Sequence, residues 1–448
     1  MPPRRRQKSI YFLGLTIENA RCFTETQELR LVDSNRCPAR WTLIVGDNGV
    51  GKSTLLQCLA WMRPIPYYPP AKDEQRGIQP WLHDQDPPDM ARLFRDGASR
   101  TALRAEMVEA LDLASRPSST RVRTGIELYA TDNEFAGAQL TVNKPAATVE
   151  PFVITYAANR HMGHQNAEEL SNSQPVDLLQ TDSTELIDAA SVLSRLDHSA
   201  LKGNVQSEGR LNSMKRALAD ILPFIEAAGD IDVLDPEDAG GGLRFRTRNG
   251  NVPLDGLSLG HRTVIAWIVD LASRLVTRYP ESAKPLDEPA VVLMDEIDLH
   301  VHPRWQRTLM RQLSQHFPNV QFVATTHSPL MITSMSDVNV AVLRQTETGD
   351  HVVIQNDPEV VEGWRFDQIL VGLFGLETAR SERVEALMKE REELLAEEPV
   401  SAQNRQRLQA IADELSSLPM AERPADRDAM RVIRQAAASI RTRRRNRT

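Results

Sequence analysis

Long hydrophobic runs are missing from this 448-residue sequence: none reaches the roughly 18 apolar residues that a membrane-crossing helix needs. Cysteine is scarce too. Cys22, Cys37 and Cys58 are too few for a disulfide framework and lack the spacing of a zinc site, so a cytoplasmic protein is the simplest reading. The basic start MPPRRRQKSI is followed by no apolar segment and no small-residue cleavage site, and is not expected to be a secretory signal. There is no internal repeat and no sustained heptad run, which excludes a solenoid and a long coiled coil. What is present is ordinary for a folded protein. At 41% hydrophobic and 25% charged residues, the chain is not mostly disordered, and its length allows two or three domains with cores of their own.

The net charge of −8 is unevenly placed. Arg4, Arg5, Arg6 and Lys8 give +4 at one end, and Arg441, Arg443, Arg444, Arg445 and Arg447 give +5 at the other, so the body between carries −17. Basic ends on an acidic body suit contact with nucleic acid, DNA or RNA, or equally a pair of solvated tails.

Along the chain, YFLGLTIENARCF and ELRLV alternate as strands do, and WTLIVG reads as a buried strand. Residues 64–86 are rich in Pro, Asp and Gln and read as an irregular loop. Helical spacing returns at PDMARLFRDGASRTALRAEMVEALDLAS. RVRTGIELYA and PFVITYAANR read as strands, residues 165–230 as mostly helical, DAGGG as a turn, and LRFRTRNGNVPL as a hairpin around Asn249-Gly250. AVVLMDE and VQFVATTHS are apolar without alternation, as strands buried on both faces of a parallel sheet are. WQRTLMRQLSQHF supplies the crossover helix between them. The last 70 or so residues read as helical and charged. The fold class is therefore α/β, with antiparallel strands at the N-terminus, a parallel sheet core, a helical lid and a helical C-terminal region.

Four motifs carry chemistry. GDNGVGKST, residues 46–54, sits between a strand and a helix. A tight glycine loop curls backbone N–H groups around phosphate oxygens, and the helix start adds its positive dipole end. Asn48, Gly49, Val50, Gly51, Lys52, Ser53 and Thr54 are the expected nucleotide contacts. Lys52 would reach the β- and γ-phosphates, and the Ser53 hydroxyl would ligate Mg²⁺. AVVLMDEIDLHVHP ends a strand in two acids: Asp295 would hold Mg²⁺ through water, and Glu296 would polarise the attacking water. In VATTHSP, His327 is read as a γ-phosphate or water contact, or as a capping histidine before a helix. In LSLGHRTVIAW, Ser258 and Gly260 precede a long helix about 200 residues after the first phosphate-facing helix start. One chain does not usually direct two such elements at one γ-phosphate, so this element would act on a second copy.

The series LTIENARCF, GDNGVGKST, LSLGHR, LMDEIDLHVHP and TTHSP resembles the ABC-type ATPase head of the RecF, SMC and OLD group. Within that group it is most similar to the PtuA-like ATPases of Septu and retron-associated anti-phage defence systems. The specific motifs cover roughly residues 10–60 and 255–330, with weaker similarity to about residue 395. The resemblance implies ATP and Mg²⁺ as cofactors, Ser258 as the signature serine with Gly260 beside it, and Arg21 as a basic residue near the nucleotide, against its reading as a surface strand arginine. Leu259 stands where transporters and SMC proteins commonly have glycine, which implies looser contact and slow hydrolysis. YAANR, Tyr156 to Arg160, takes the place of the glutamine loop without supplying a glutamine. His300 and His302 suggest zinc by their spacing, but the resemblance assigns this stretch to subunit contact, with Asp298 and His302 the residues concerned.

The expected divisions are residues 1–63 and 236–345 for the two parts of the ATPase head, 64–235 for an insertion with strands and helical lid, and 346–448 for a helical arm with a basic tail. An HNH pattern is absent, and no acid cluster on strands follows His327, so a nuclease within this chain is not expected. The resemblance implies instead a homodimer or higher even-numbered oligomer that restrains a separate effector protein, an HNH nuclease being one such. A RecF-like DNA-binding ATPase in repair or recombination, and a nucleotide-locked scaffold with negligible turnover, are the other readings.

Overall fold

The computed structural model describes residues 9–67, 77–84, 91–113, 121–131, 134–141, 150–163, 183–234, 242–248, 250–346, 349, 351–356, 366–375, 382–396 and 401–417. Both basic ends, residues 164–182 and Asn249 lie outside this set.

In chain order the strands of the two principal sheets are β1 (Ser9–Glu18), β2 (Gln27–Arg30), β3 (Trp41–Gly46), β4 (Arg100–Ala110), β5 (Arg121–Thr131), β6 (Glu134–Thr141), β7 (Val153–Tyr156), β8 (Ala290–Met294), β9 (Val320–Thr325), β10 (Val338–Gln345) and β11 (Val352–Asn356). One sheet is antiparallel, in the order β2-β1-β4-β5-β6. The other runs β11-β10-β3-β9-β8-β7 and is parallel except at its β11 edge. The helices are α1 (Lys52–Trp61), α2 (Ala189–Leu201), α3 (Val205–Ile221), α4 (Leu259–Arg278), α5 (Pro303–His316), α6 (Glu382–Ala396) and α7 (Ala402–Ser417), with shorter ones at Pro329–Ile332 and Phe366–Gly372.

Every residue of β3, β8 and β9 is buried. Their side chains alternate between two cores, one on each face of the sheet. Leu43, Val45, Val292 and Phe322 join α2, α3, α4 and α5 on one face, while Ile44, Val291, Leu293 and Val323 meet α1 and the antiparallel sheet on the other. This double burial explains their unbroken apolar runs. A polar residue joins the sheets. Gln321, fully buried in β9, accepts a hydrogen bond from Phe12 N (2.9 Å) and donates to Phe12 O (2.8 Å), at a register shift in β1. It satisfies backbone groups that the irregularity leaves without ladder partners.

Caps set the helix starts. Asp188 accepts from Ala190 N ahead of α2, and Asn204 accepts from Gln206 N and Ser207 N ahead of α3. Both helices pack their apolar sides into the first core.

Several stretches differ from expectation. The helical spacing of residues 88–115 is overridden over Arg100–Ala110, which forms β4 between β1 and β5. Ala, Leu, Glu and Met favour a helix locally, but nine or so ladder partners on each side outweigh that small preference. Within the expected loop, Pro64–Tyr67 and Gly77–Pro80 pair as antiparallel strands. The hairpin at Gly242–Thr247 and Gly250–Pro253 is present and takes a third strand, Ile231–Leu234. The sheet also extends past residue 345 through β11, inside the segment expected to be helical.

Compactness divides the chain into Met1–Phe374 and Gly375–Thr448. In the second unit α6 and α7 pair through Arg407 with Glu390 (2.5 and 2.6 Å) and Arg383 with Glu414, over buried Leu387 and Ile411. Among the described residues no helix is long and apolar enough to cross a membrane.

Trp41 and Phe322, paired across β3 and β9, stack with ring centroids 4.2 Å apart and planes 8° apart, and the Trp41 indole donates to Ser314 Oγ. Trp41→Ala is expected to cost about 3–5 kcal/mol, read as a lowered urea midpoint with an unchanged slope.

Candidate functional site: the carboxyl edge of the parallel sheet

Parallel strands end on one side, so the loops after β3, β8 and β9 share an edge of the sheet. From β3 the chain turns through residues 46–51 into α1. Gly51 makes the turn possible: its φ is +92°, and a Cβ there would lie 2.5 Å from Cys22 Sγ. Cys22 in turn donates to Val50 O, so strand and loop are closely fitted. Lys52 is buried and folds back across the loop, donating to Gly46 O (3.0 Å) and Asp47 O (2.7 Å). Burial lowers its pKa from the usual lysine value, against the opposing pull of Asp295, Glu296, Asp47 and Asp298.

The next residue reaches the second motif. Ser53 Oγ donates to Asp295 Oδ2 at 2.5 Å. The other carboxylate oxygen of Asp295 accepts from Thr325 Oγ1, and that same hydroxyl accepts from Glu296 N at 2.7 Å. One threonine at the end of β9 thus holds both acids after β8. Asp295 is further fixed by its N–H donating to Tyr156 O at the end of β7. Glu296 is half-buried with φ +47°, a left-handed conformation that few residues other than glycine adopt. A hydroxyl and a carboxylate converging from two loops are hard oxygen donors of the kind Mg²⁺ takes. Alone they fall short of a full shell, and among the described residues no group of three or more His, Cys, Asp or Glu side chains could hold a metal. The remaining positions would belong to phosphate oxygens and water.

His327 lies two residues beyond β9, and among the described residues its buried Nε2 has no hydrogen-bond partner; Asp298 Oδ1 is in the same condition. Buried polar atoms of this kind need an explanation: a bound phosphate oxygen or water would supply it for the histidine, and a water for the carboxylate. Arg21, with φ +49°, donates from one guanidinium nitrogen to Thr54 Oγ1 (3.1 Å) and Gln57 Oε1 (3.0 Å), and from Nε to Arg92 O. It is therefore docked on the first turns of α1, beside the loop. Asn48 and Gly49 are exposed at the loop's tip, and Val50 is buried beneath it.

Ser258 stands apart from this cluster. It caps α4, its exposed hydroxyl bonding to His261 N (3.4 Å) and Nδ1 (2.9 Å). Among the described residues it makes no hydrogen bond to the loop or to the acids. The His261 ring is held between Phe224 and Trp305, and burial lowers its pKa below the usual histidine value. Gly260 is required where it is: a Cβ there would lie 2.3 Å from His300 O. The start of α4 thus rests on the loop after the acids. His302 caps α5, its Nδ1 accepting from Arg304 N.

Sequence reasoning missed two members of the site. Thr325 lay in view in VATTHSP, but nothing distinguished it from Thr326. Arg160, last residue of YAANR, is 5% exposed and donates to Ala157 O, Asp295 O and Glu296 O.

Residues 42–333, more than half of the chain, match the family described as "AAA domain, putative AbiEii toxin, Type IV TA system". The chain belongs to this AAA family. Its relatives include the Retron Vc95 probable ATPase of Vibrio cholerae serotype O1 biovar El Tor, 41% identical over 101 residues, 22% of this chain and 20% of that protein. The Septu protein PtuA of Bacillus mycoides is 25% identical over 340 residues, 75% of this chain and 41% of that protein. The chain thus matches less than half the length of these relatives. Among solved structures, the SMC head domain from Thermotoga maritima is similar at 14% identity and a TM-score of 0.43, over 77% of this chain and 98% of that one. The expected resemblance to Septu and retron ATPases is borne out.

Thr325→Val preserves shape but leaves Asp295 Oδ1 and Glu296 N without their shared partner. It is expected to cost about 1–3 kcal/mol of stability, measured by denaturant unfolding, while Thr325→Ser retains most of it.

Proposed function

We propose that this chain binds and hydrolyses ATP as the motor of an anti-phage defence complex, two copies closing on nucleotide to control a separate effector. The hydrogen-bond chain Ser53–Asp295–Thr325, with Lys52 folded beside it, is the observation that carries the reading. It brings a phosphate loop and a strand-end acid pair into direct contact. Family membership and the names of the Septu and retron relatives support the defence role.

In this reading the N–H groups of residues 49–54 and the start of α1 surround the phosphates. Lys52 turns from its carbonyl partners towards the β- and γ-phosphates. Its burial makes the exchange of carbonyls for phosphate oxygens favourable, because a desolvated ammonium gains most from a full anionic partner. Ser53 and Asp295 would hold Mg²⁺, whose positive charge would offset that of the phosphate oxygens. Glu296 orients and polarises the attacking water, and His327 offers its free Nε2 to the γ-phosphate. Arg21, already hydrogen-bonded to Thr54, adds positive charge at the loop. Ser258 of one copy caps the γ-phosphate held by the other. Its exposed hydroxyl, bonded to His261 and, among the described residues, to neither the loop nor the acids, supports action on a second copy. Binding free energy then drives closure, because nucleotide favours the closed pair over separate chains. The effector partner, an HNH nuclease in the reading by resemblance, would sense that closure. The basic ends are the part of the chain suited to nucleic acid.

Lys52→Ala is expected to reduce ATP affinity at least 100-fold, measured by equilibrium dialysis; unchanged affinity refutes the phosphate-loop assignment. Glu296→Gln should lower turnover by about 10²–10⁴-fold, the usual contribution of a general base, while ATP-bound dimers accumulate in size-exclusion chromatography. Mixing Ser258→Arg with Lys52→Ala chains should restore part of the activity that each lacks alone, since one composite site is then intact. Absence of any restoration counts against closure of one copy's site by the other.

A further inference from the structure

Arg160 has no place in the mechanism above, and its surroundings are unusual. The residue is 5% exposed, yet among the described residues no carboxylate accepts a hydrogen bond from it. It spends its donors on three backbone carbonyls instead: one terminal nitrogen reaches Ala157 O (2.9 Å) and Asp295 O (2.5 Å), the other Glu296 O (2.8 Å). Among the described residues its buried Nε has no partner. Burial draws its pKa down to about 10, against the pull of Asp295 and Glu296. A buried guanidinium with incomplete hydrogen bonding is costly, so its retention calls for a compensating role.

The carbonyls it holds belong to the two acids at the end of β8. Glu296 is in the left-handed region at φ +47°. A residue that carries a Cβ is disfavoured in that region and is held there by its surroundings, and such strain gathers at functional sites. Three groups hold the Glu296 backbone: Thr325 Oγ1 accepts from its N–H, and Arg160 and Leu299 N (3.1 Å) both donate to its C=O. The peptide between the acids is also held, since Arg160 takes Asp295 O. Two nitrogens of one rigid planar group therefore span successive carbonyls, a grip that a single ammonium cannot reproduce.

We infer that Arg160 is a positioning residue that clamps the Asp295–Glu296 backbone in its left-handed turn, so that the Glu296 carboxylate faces the nucleotide. The inference rests on the reading of Glu296 as the group that polarises water. Without the clamp, the Glu296 backbone relaxes towards common conformations and its carboxylate swings away, whereas Lys52 and residues 46–54 keep their own contacts. The loss should therefore fall on kcat and leave ATP affinity in place.

The test compares native protein with Arg160→Met, Arg160→Lys, Glu296→Gln and the double variant Arg160→Met/Glu296→Gln, in ATP turnover, ATP affinity and thermal unfolding. Arg160→Met is expected to lower kcat about tenfold or more, equivalent to about 1.4 kcal/mol of barrier, with KM within about threefold of native. Arg160→Lys should fall between Met and native. The double variant should turn over no more slowly than Glu296→Gln alone, because a mispositioned group and a missing one are the same defect. A folded Met variant with native kcat overturns the clamp, as does a loss in ATP affinity that accounts for the whole effect, or an additive double variant. Should the Met variant fail to fold, Arg160→Lys decides: a folded Lys protein with native kcat overturns the inference. Native turnover in Glu296→Gln overturns both the clamp and the role of Glu296, whereas a slow Glu296→Gln beside a native-like Arg160→Met overturns the clamp alone.

Discussion

Parallel pairing of β3, β9 and β8 is the constraint on which the rest of the site depends. Three adjacent strands running one way must release their following residues at the same edge. Ser53, Thr325 and Asp295, which lie far apart in the chain, therefore meet within hydrogen-bond distance. The pairing holds because all three strands are apolar on both faces, and each face has its own core to fill. A polar residue facing either core without a partner would cost as much as several of these contacts gain. Gln321 is tolerated because the irregular backbone of β1 answers both ends of its amide.

Around this edge the chain accepts unfavourable local states. Glu296 and His300 have positive φ in the single loop between β8 and α5, and Gly260 admits His300 O where any side chain would collide. Lys52 and Arg160 are cations held among backbone carbonyls, with acidic side chains near enough to oppose their loss of charge. Such features reduce stability and are kept up by the packing on either side. Several of them meet at this edge, where the loops after β3, β8 and β9 come together.

The motifs were legible because each is a local pattern with a local cause. Glycines before Lys52 announce a turn that brings backbone close to a ligand, and five apolar residues before Asp295 announce a buried strand that ends in acids. Arg100–Ala110 was not legible as a strand: Ala, Leu, Glu and Met give helical spacing, and only the pairing with β1 and β5 overrides it. Arg160 was visible in YAANR, but its use was not, because nothing in a sequence says which carbonyls a guanidinium will reach.

By itself, then, the sequence determined which segments are buried strands and where the glycine-rich turn before α1 lies, since spacing and residue type settle those within a few neighbours. It also determined the chemical inventory: one lysine, two hydroxyls, two acids and a histidine in the right order. Tertiary structure alone decided how these groups meet. Thr325 rather than Thr326 bridges the acids, Arg160 spans their carbonyls, and the Ser258 hydroxyl bonds to His261. Those outcomes follow from strand order and register, which are set by burial summed over the whole core and by no short stretch of chain.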